Sequence, residues 1–227
     1  GADRGAPAQG RVMAGAAIDA VITWVDGDDP AHAARRAAFS GSASTSGTAA
    51  TRFAARDELR HCLRSILRHA PFLRRIHVVT DRQVPAVLAE MAEQGVPGHE
   101  KIRLVDHREI FRGHEALLPV FNSISIEAMV HRTLGLAEQF VMFNDDMFLT
   151  APIVPEDWFR EGRPVFRGRW FGPGLDALAA LRRVLAPLPG IGKATAGFSN
   201  KESCRLGARA AGLHGRTFVP GHAPYPG

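Results

Sequence analysis

Several short apolar runs along the chain have the length and composition of buried β-strands. They are rich in β-branched or aromatic residues, and each is followed by polar residues. These runs occupy residues 18–26, 75–81, 101–106 and 139–146. Because strands of this kind are apolar on both faces, the pattern predicts a sheet that is covered on both sides.

Helical spacing fills the stretches between these runs. Apolar residues recur at i, i+3, i+4, i+7 and i+8 before Pro71, at Leu59, Cys62, Leu63, Ile66 and Leu67. Residues 85–95 open with proline and close with glycine, as a short helix does, and residues 123–135 repeat the helical pattern. Since strand and helix alternate, we expect an α/β fold with a mostly parallel sheet flanked by helices.

Each predicted strand ends in aspartate. The positions are Asp26, Asp81, Asp106 and the adjacent pair Asp145 and Asp146. Ligands of open α/β sheets bind beyond the carboxyl ends of the strands. We expect Asp81 and Asp106 to begin turns or cap helices, and Asp26 and the Asp145–Asp146 pair to face a ligand.

The acidic pair interrupts the apolar stretch FVMFNDDMFL at residues 140–149. Adjacent carboxylates at a strand end can bind a hard divalent cation, Mg²⁺ or Mn²⁺, which in turn holds a diphosphate. Neighbouring acids also occur by chance, but burying charge beside an apolar strand is costly and is typical of functional sites. The stretch therefore predicts a metal site.

Other polar clusters have two interpretations each. Glu127 and His131 are four residues apart and share a helical face, either as part of a site with Asn122 or as a solvated stripe. Asp57 either belongs to a site or simply caps the helix that follows it. The small polar residues 40–51 form either a loop that covers substrate or an inert insertion.

Composition narrows the function classes. The 227 residues carry a net charge of +5, but the basic residues are scattered and accompany only one Tyr and three Trp, so we expect no nucleic acid partner. Arginines of this kind are suited to the phosphates of a small anionic substrate. No P-loop, CxxC, HExxH or GxSxG motif occurs, which disfavours P-loop ATP binding, zinc proteolysis and serine hydrolysis.

The number of cysteines and the length of the apolar runs indicate where in the cell the protein is found. Two cysteines cannot form a disulfide framework, so a reducing cytoplasmic setting is expected. No run of roughly 18 apolar residues is present, so any membrane association, at the inner face of the cell membrane, would be peripheral.

Three long motifs follow one another along the chain: IDAVITWVDGDDP, RDELRHCLRSILRHAPFLRRIHVVTDRQVP and LPVFNSISIEAMVHRTLGLAEQFVMFNDDMFL. With these motifs in this order, the chain resembles the Stealth family over about residues 18–160. The family comprises bacterial capsular and exopolysaccharide phosphotransferases and the catalytic part of the animal N-acetylglucosamine-1-phosphotransferase. The resemblance implies a glycosyltransferase-A-like, Rossmann-like core that transfers a sugar 1-phosphate from a nucleotide-sugar donor to a hydroxyl of a polysaccharide acceptor.

The resemblance also implies roles for individual residues. Asp145 and Asp146 would hold the metal and diphosphate, with Asp145 in the chemistry itself. Asp26, His131 and His222 are candidates for proton transfer. The substrate cleft would be lined by Asp57, Glu58, Arg60, Asn122, Glu127, Arg132 and Asn144.

The C-terminal part departs from the family pattern, because the third conserved region stops just after HAPYPG and the fourth is absent. We therefore expect a flexible segment at 1–17, a catalytic core at 18–160 and a truncated helical or loop extension at 161–227. The alternatives are a metal-dependent glycosyltransferase with the same core, and an inactive truncated copy that acts as a binding module. The sequence does not determine the oligomeric state.

Overall fold

The computed structural model of the protein describes residues 16–40 and 57–172, with the short stretches 208–210, 212, 217–220 and 224–226. The chain divides into two compact units, Gly1–Val165 with Pro224–Gly227, and Phe166–Ala223. His222 and the predicted loop at 40–51, except for its first residue, lie outside the described residues, as does most of the predicted extension at 161–227. The predicted segment boundaries at residues 17 and 160 stay predictions.

The strands, in chain order, are β1 (Ile18–Thr23), β2 (Ile76–Thr80), β3 (Ile102–Asp106), β4 (Gln139–Asn144), β5 (Phe159–Arg160), β6 (Arg163–Pro164), β7 (Gly168–Phe171), β8 (Thr217–Pro220) and β9 (Tyr225–Pro226). The helices are α1 (Pro30–Ser40), α2 (Glu58–His69), α3 (Ala86–Glu93), α4 (His107–Ile110) and α5 (Ser123–Glu127). None of the described helices has the length and apolar composition to cross a membrane. The cytoplasmic location stays a prediction.

The main sheet has the strand order β3-β2-β1-β4-β9. The first four strands run parallel, and β9 pairs antiparallel with β4 at the edge. In the second unit, β7 and β8 pair antiparallel. The predicted α/β, Rossmann-like fold with a mostly parallel sheet is therefore confirmed.

Alternate residues of each strand point to opposite faces of the sheet and pack into two separate apolar cores. On one face, Ile22, Val78 and Phe143 pack with the buried side of α2 and with Val87 and Met91 of α3. The other face has its own set of buried residues, formed by Val21, Val79, Val105, Ile110, Phe111, Val130, Phe140 and Met142. Burial of a whole apolar side chain is worth roughly 1.5–3 kcal/mol, so covering both faces is the main stabilisation of this sheet.

The predicted helix 123–135 is wrong in its extent, because α5 ends at Glu127 and a 3₁₀ turn follows at Val130–Arg132. Val130 is buried in the core of the second face, and the Arg132 guanidinium donates hydrogen bonds to the carbonyls of Ile110 and Arg112. These tertiary contacts hold the chain in a tighter turn than the helical pattern predicts.

Candidate active site

The register of the parallel strands brings the carboxyl ends of β1, β2, β3 and β4 to the same level. Thr23 of β1 pairs with Asn144 of β4 and with Val79 of β2. Thr80, the next residue of β2, pairs with Asp106 of β3. Asp26, Asp81 and the acidic pair therefore follow their strands at one edge of the sheet, as the sequence predicts. This is the edge at which open α/β sheets bind ligands.

Asp26 is fixed by a side chain that the sequence did not single out. The buried Gln83 accepts a hydrogen bond from the Asp26 backbone N–H at 3.0 Å, and its Nε2 donates to the Asp26 carbonyl at 2.9 Å and to Asp29 Oδ2 at 2.8 Å. The Asp26 carboxylate accepts only the backbone N–H of Asp28, at 2.9 Å, among the described residues. The turn after β1 is thus rigid while most of the acceptor capacity of Asp26 stays available.

Asp145 and Asp146 follow directly after β4. Burial, together with the charges of Asp146 and Glu58, raises the pKa of Asp145 to about 6. No basic side chain forms an ion pair with Asp145 in the part of the chain that the structure describes. Among these residues, negative charge is therefore concentrated here without a paired cation.

Cys62 lies beneath this pair on α2. Burial, with the charges of Asp145 and Asp146, raises the pKa of the Cys62 thiol to about 12. The thiol donates a weak hydrogen bond to the Asn144 carbonyl, with Sγ and O 3.7 Å apart. Cys62 is a buried, protonated packing residue that ties α2 to the end of β4, in agreement with the core spacing in the sequence.

Helix α2 supports the acidic segment at two further points. The Leu149 backbone N–H donates to Ser65 Oγ at 3.0 Å, and the Ile153 N–H donates to the His69 carbonyl at 3.0 Å. The His61 and Phe148 rings meet edge to face with their centroids 6.2 Å apart. Residues on both sides of the acidic pair are therefore held along one helix, which keeps the two carboxylates in a defined position.

The residues present fit a divalent cation. In the described part of the chain no three His, Cys, Asp or Glu side chains form a cluster that would hold a metal alone. Mg²⁺, however, typically takes one or two protein carboxylates and completes its shell with phosphate oxygens and water. Asp145 and Asp146 match that requirement, and a cation would relieve the repulsion that raises the pKa of Asp145. The metal site stays a prediction.

The start of α2 holds three of the predicted residues. Asp57 occupies the N-cap position with φ of 65°, but its side chain makes no capping hydrogen bond. Its carboxylate instead accepts from Arg60 Nε at 2.6 Å, and Arg60 Nη2 lies 2.5 Å from Glu90 Oε2 of α3. Arg60 is thus held between two carboxylates, whereas Glu58 contributes its charge to the surroundings of Asp145.

The remaining predicted residues lie near α5. Asn122 caps this helix by accepting from the Ser125 N–H at 3.2 Å, and the Arg132 guanidinium binds the carbonyls after α4. Glu127 is half-buried at the end of α5, and His131 is exposed in the 3₁₀ turn. The helix ends between Glu127 and His131, so the shared helical face predicted for this pair is wrong. Their substrate roles stay predictions.

Arginines dominate the opposite end of the same edge. Arg35 of α1 donates to Asp81 Oδ2 from Nε at 3.2 Å and from Nη2 at 3.0 Å, so Asp81 forms an ion pair. Asp81 lies in the bend that directly follows β2, and it does not cap α3, whose N-cap is Pro85. Asp106 does cap α4, accepting from the Arg108 N–H at 2.9 Å, as predicted. An open cavity of about 800 Å³ lies here, and the described residues around it include Arg35, Arg82 and Arg108.

Comparison with known proteins gives matches to two conserved regions of one family. The region described as Stealth protein CR1, conserved region 1, matches residues 17–44. The region described as Stealth protein CR2, conserved region 2, matches residues 52–165, which is half of the chain. The two matches include Asp26, the start of α2 and the acidic pair.

Individual relatives agree with this match. Two exopolysaccharide phosphotransferases of Streptomyces coelicolor are 46% and 49% identical to 63% of this chain, over 23% and 25% of their own lengths. A capsular polysaccharide phosphotransferase of Streptococcus pneumoniae is 42% identical to 63% of this chain, over 42% of its own length. The chain thus matches less than half of the length of each of these relatives.

Proposed function

The chain belongs to the Stealth family, and from this premise we propose that it transfers a sugar 1-phosphate from a nucleotide sugar to a hydroxyl of a polysaccharide acceptor. The reaction would serve capsule biogenesis or exopolysaccharide synthesis. One observation carries the proposal: a half-buried Asp145 and an exposed Asp146 with like charge lie at the same edge of the sheet as Asp26, within the region that matches polysaccharide phosphotransferases.

In the proposed reaction, an acceptor oxygen attacks the phosphorus that carries the sugar. The new bond joins this phosphorus to the acceptor, and the bond that breaks releases nucleoside monophosphate. The proton of the acceptor hydroxyl passes to a general base. Asp26, His131 and His222 are the candidates, and Asp26 is the one whose carboxylate lies at the described edge with free acceptor capacity.

Asp145 and Asp146 would hold Mg²⁺ or Mn²⁺. When bound, the cation would offset the negative charge that develops on the transferred phosphoryl group. Helix α2 fixes the position of this pair through Cys62 and Ser65, so that little reorganisation is needed when substrate arrives. Gln83 fixes the backbone of Asp26 in a similar way, through hydrogen bonds to its N–H and its carbonyl.

Product analysis tests the proposal. The full polypeptide that contains this chain would be incubated with a panel of nucleotide sugars, extracted polysaccharide acceptor and Mg²⁺, and the products followed by ³¹P NMR. We expect nucleoside monophosphate and a new phosphodiester signal, both abolished by a chelator and restored by excess Mg²⁺. Release of nucleoside diphosphate would instead identify a glycosyltransferase, and no turnover with any donor would favour a binding module.

A further inference from the structure

The arginine-lined cavity lies at the carboxyl ends of β2 and β3, away from the acidic pair. In the strand order β3-β2-β1-β4, two strand spacings separate β4 from β2 and three separate it from β3. With neighbouring strands about 5 Å apart, the cavity is roughly 10–14 Å from the acidic pair. An anion bound here is therefore different from a diphosphate held at Asp145 and Asp146.

One carboxylate holds two of the arginines in place. Asp106 accepts the Arg82 backbone N–H at 3.0 Å through Oδ2 and the Arg108 N–H at 2.9 Å through Oδ1. Arg82 also has a left-handed backbone with φ of 58°, which is uncommon for a residue with a side chain. The fold thus fixes the backbone at both positions and leaves the two guanidinium groups to reach the cavity.

The charges around the cavity are only partly balanced within the protein. Arg35 is paired with the buried Asp81, and Arg82 Nε lies 3.9 Å from Asp81 Oδ1. The exposed Arg108 guanidinium has no hydrogen bond or ion pair among the described residues. Glu115 also lines the cavity, but its carboxylate accepts the Gly113 N–H at 2.8 Å. The lining therefore presents three arginines and one acid, and Arg108 supplies the guanidinium that no described carboxylate neutralises by direct contact, as an anion site requires.

Apolar side chains form the rest of the wall. Phe39 is 63% exposed although its ring packs against Phe121 with centroids 5.6 Å apart, and Leu118 lies on the same wall. Phe39 and Leu118 thus give the cavity an apolar wall beside its arginines, the combination of apolar lining and few polar groups that ligand pockets have. The cavity therefore suits a ligand that combines a phosphate with a less polar ring.

We propose that this cavity binds a phosphodiester of the acceptor glycan, so that the preferred acceptor already carries sugar phosphate units. The inference rests on the proposed function, because each transfer of a sugar 1-phosphate leaves one anionic phosphodiester in the product. A chain that has been extended before would offer this group to the arginines while its free hydroxyl reaches the acidic end of the edge. A neutral glycan would lack the anchor.

Calorimetric titration tests the assignment without turnover. The probes are a synthetic trisaccharide of glucose units joined by phosphodiesters, maltotriose as its neutral counterpart, and uridine diphosphate. We expect the protein to bind the phosphodiester trisaccharide, with affinity that falls as salt rises, and to bind maltotriose far more weakly. Arg82→Gln and Arg108→Gln should each weaken binding of the phosphodiester trisaccharide about tenfold.

Matched variants make the result decisive. Arg108→Lys keeps the charge and should lose less affinity than Arg108→Gln, and Arg68→Gln, an exposed arginine on α2, should bind as the parent does. The proposal is overturned if the parent does not bind the phosphodiester trisaccharide, if maltotriose binds equally well, or if the variants weaken uridine diphosphate instead. Arginine-dependent binding without any nucleoside monophosphate release would retain this site and reject the proposed function.

Discussion

Two carboxylates on neighbouring strands of the sheet have opposite surroundings. Asp19, near the amino end of β1, is fully buried and accepts hydrogen bonds from Arg74 at 2.9 and 2.6 Å and from the Ala137 N–H at 2.8 Å, with His77 Nε2 at 3.2 Å. Burial alone would raise the pKa of Asp19, but these partners outweigh it and hold the pKa well below its usual range. Asp19 therefore favours its charged form without help from a ligand.

Asp145 lies at the other edge, and the charged groups that shift its pKa there, Asp146 and Glu58, are both acids. Burial, Asp146 and Glu58 all raise its pKa, so the fold makes its charged form less favourable. Asp19 has a basic partner, Arg74, whereas Asp145 accepts only backbone hydrogen bonds and has no ion pair among the described residues, as a carboxylate that binds a cation requires. We therefore call the amino edge of the sheet the structural edge and propose that the carboxyl edge is the functional edge. The difference can be tested by making the same substitution at both.

The largest effect is expected at the functional edge. Asp145→Asn removes one cation ligand while keeping the shape of the side chain, so sugar-phosphate transfer should fall about a hundredfold or more. Stability should stay the same or rise, because the repulsion from Asp146 and Glu58 is relieved. Release of nucleoside monophosphate and urea unfolding would be measured on one preparation. Glu138→Gln, an exposed acid before β4, is the control, and parental activity in Asp145→Asn would refute the metal role.

The structural edge should respond in the opposite way. Asp19→Asn leaves the partly exposed Arg74 and the buried His77 beside a neutral amide, and losing hydrogen bonds to a buried charged group costs about 2 kcal/mol in the free energy of unfolding. Urea denaturation measures the loss, and substrate KM should not change because Asp19 is at the far end of β1. If Asp19→Asn were as stable as the parent and Asp145→Asn were not, the assignment of the two edges would be reversed.

The pH dependence gives a smaller and more specific effect. Because the folded pKa of Asp19 is depressed, folded protein binds this proton more weakly than unfolded protein does. The stabilisation is therefore present in full above the usual Asp value of 3.8 and is lost as the pH falls below it. The stability difference between the parent and Asp19→Asn should be constant from pH 7 to about 5 and shrink below about 4. A difference that grew on acidification would contradict this account.

The sheet and the acidic residues at its carboxyl edge were predictable because their sequence signals are local. Short runs of β-branched residues predict the buried strands, and the apolar spacing of residues 59–67 identifies the buried side of α2. The aspartates after β1 and β4 then follow from the rule that parallel sheets bind ligands at their carboxyl ends. The roles of Asp57, Asn122 and Arg132 came from family resemblance, and their observed contacts are mainly structural.

The residues that hold the site in place, Gln83 and Ser65, could not be predicted because their hydrogen-bond partners are distant in sequence. Gln83 is 57 residues from Asp26, and Ser65 is 84 residues from Leu149. Gln and Ser are both common residues at such positions in a sequence. Only the folded structure therefore shows that these two side chains hold Asp26 and Leu149. The end of α5 could not be predicted for the same reason, because the carbonyls that accept from Arg132 are 20 and 22 residues away in the sequence. The arginine cavity is likewise assembled from α1 and from the turns after β2 and β3.

The smallest effect is expected from Ser65, which positions the functional edge without touching substrate. Ser65→Ala leaves the Leu149 N–H without its acceptor, which costs about 1 kcal/mol of stability, and it loosens the segment that follows the acidic pair. Transfer should fall less than in Asp145→Asn, through a lower kcat with little change in donor KM. Ser65→Thr keeps the hydroxyl and should recover most of the rate. Equal losses in Ser65→Ala and Ser65→Thr would show that packing on α2, and not this hydrogen bond, holds the acidic pair in place.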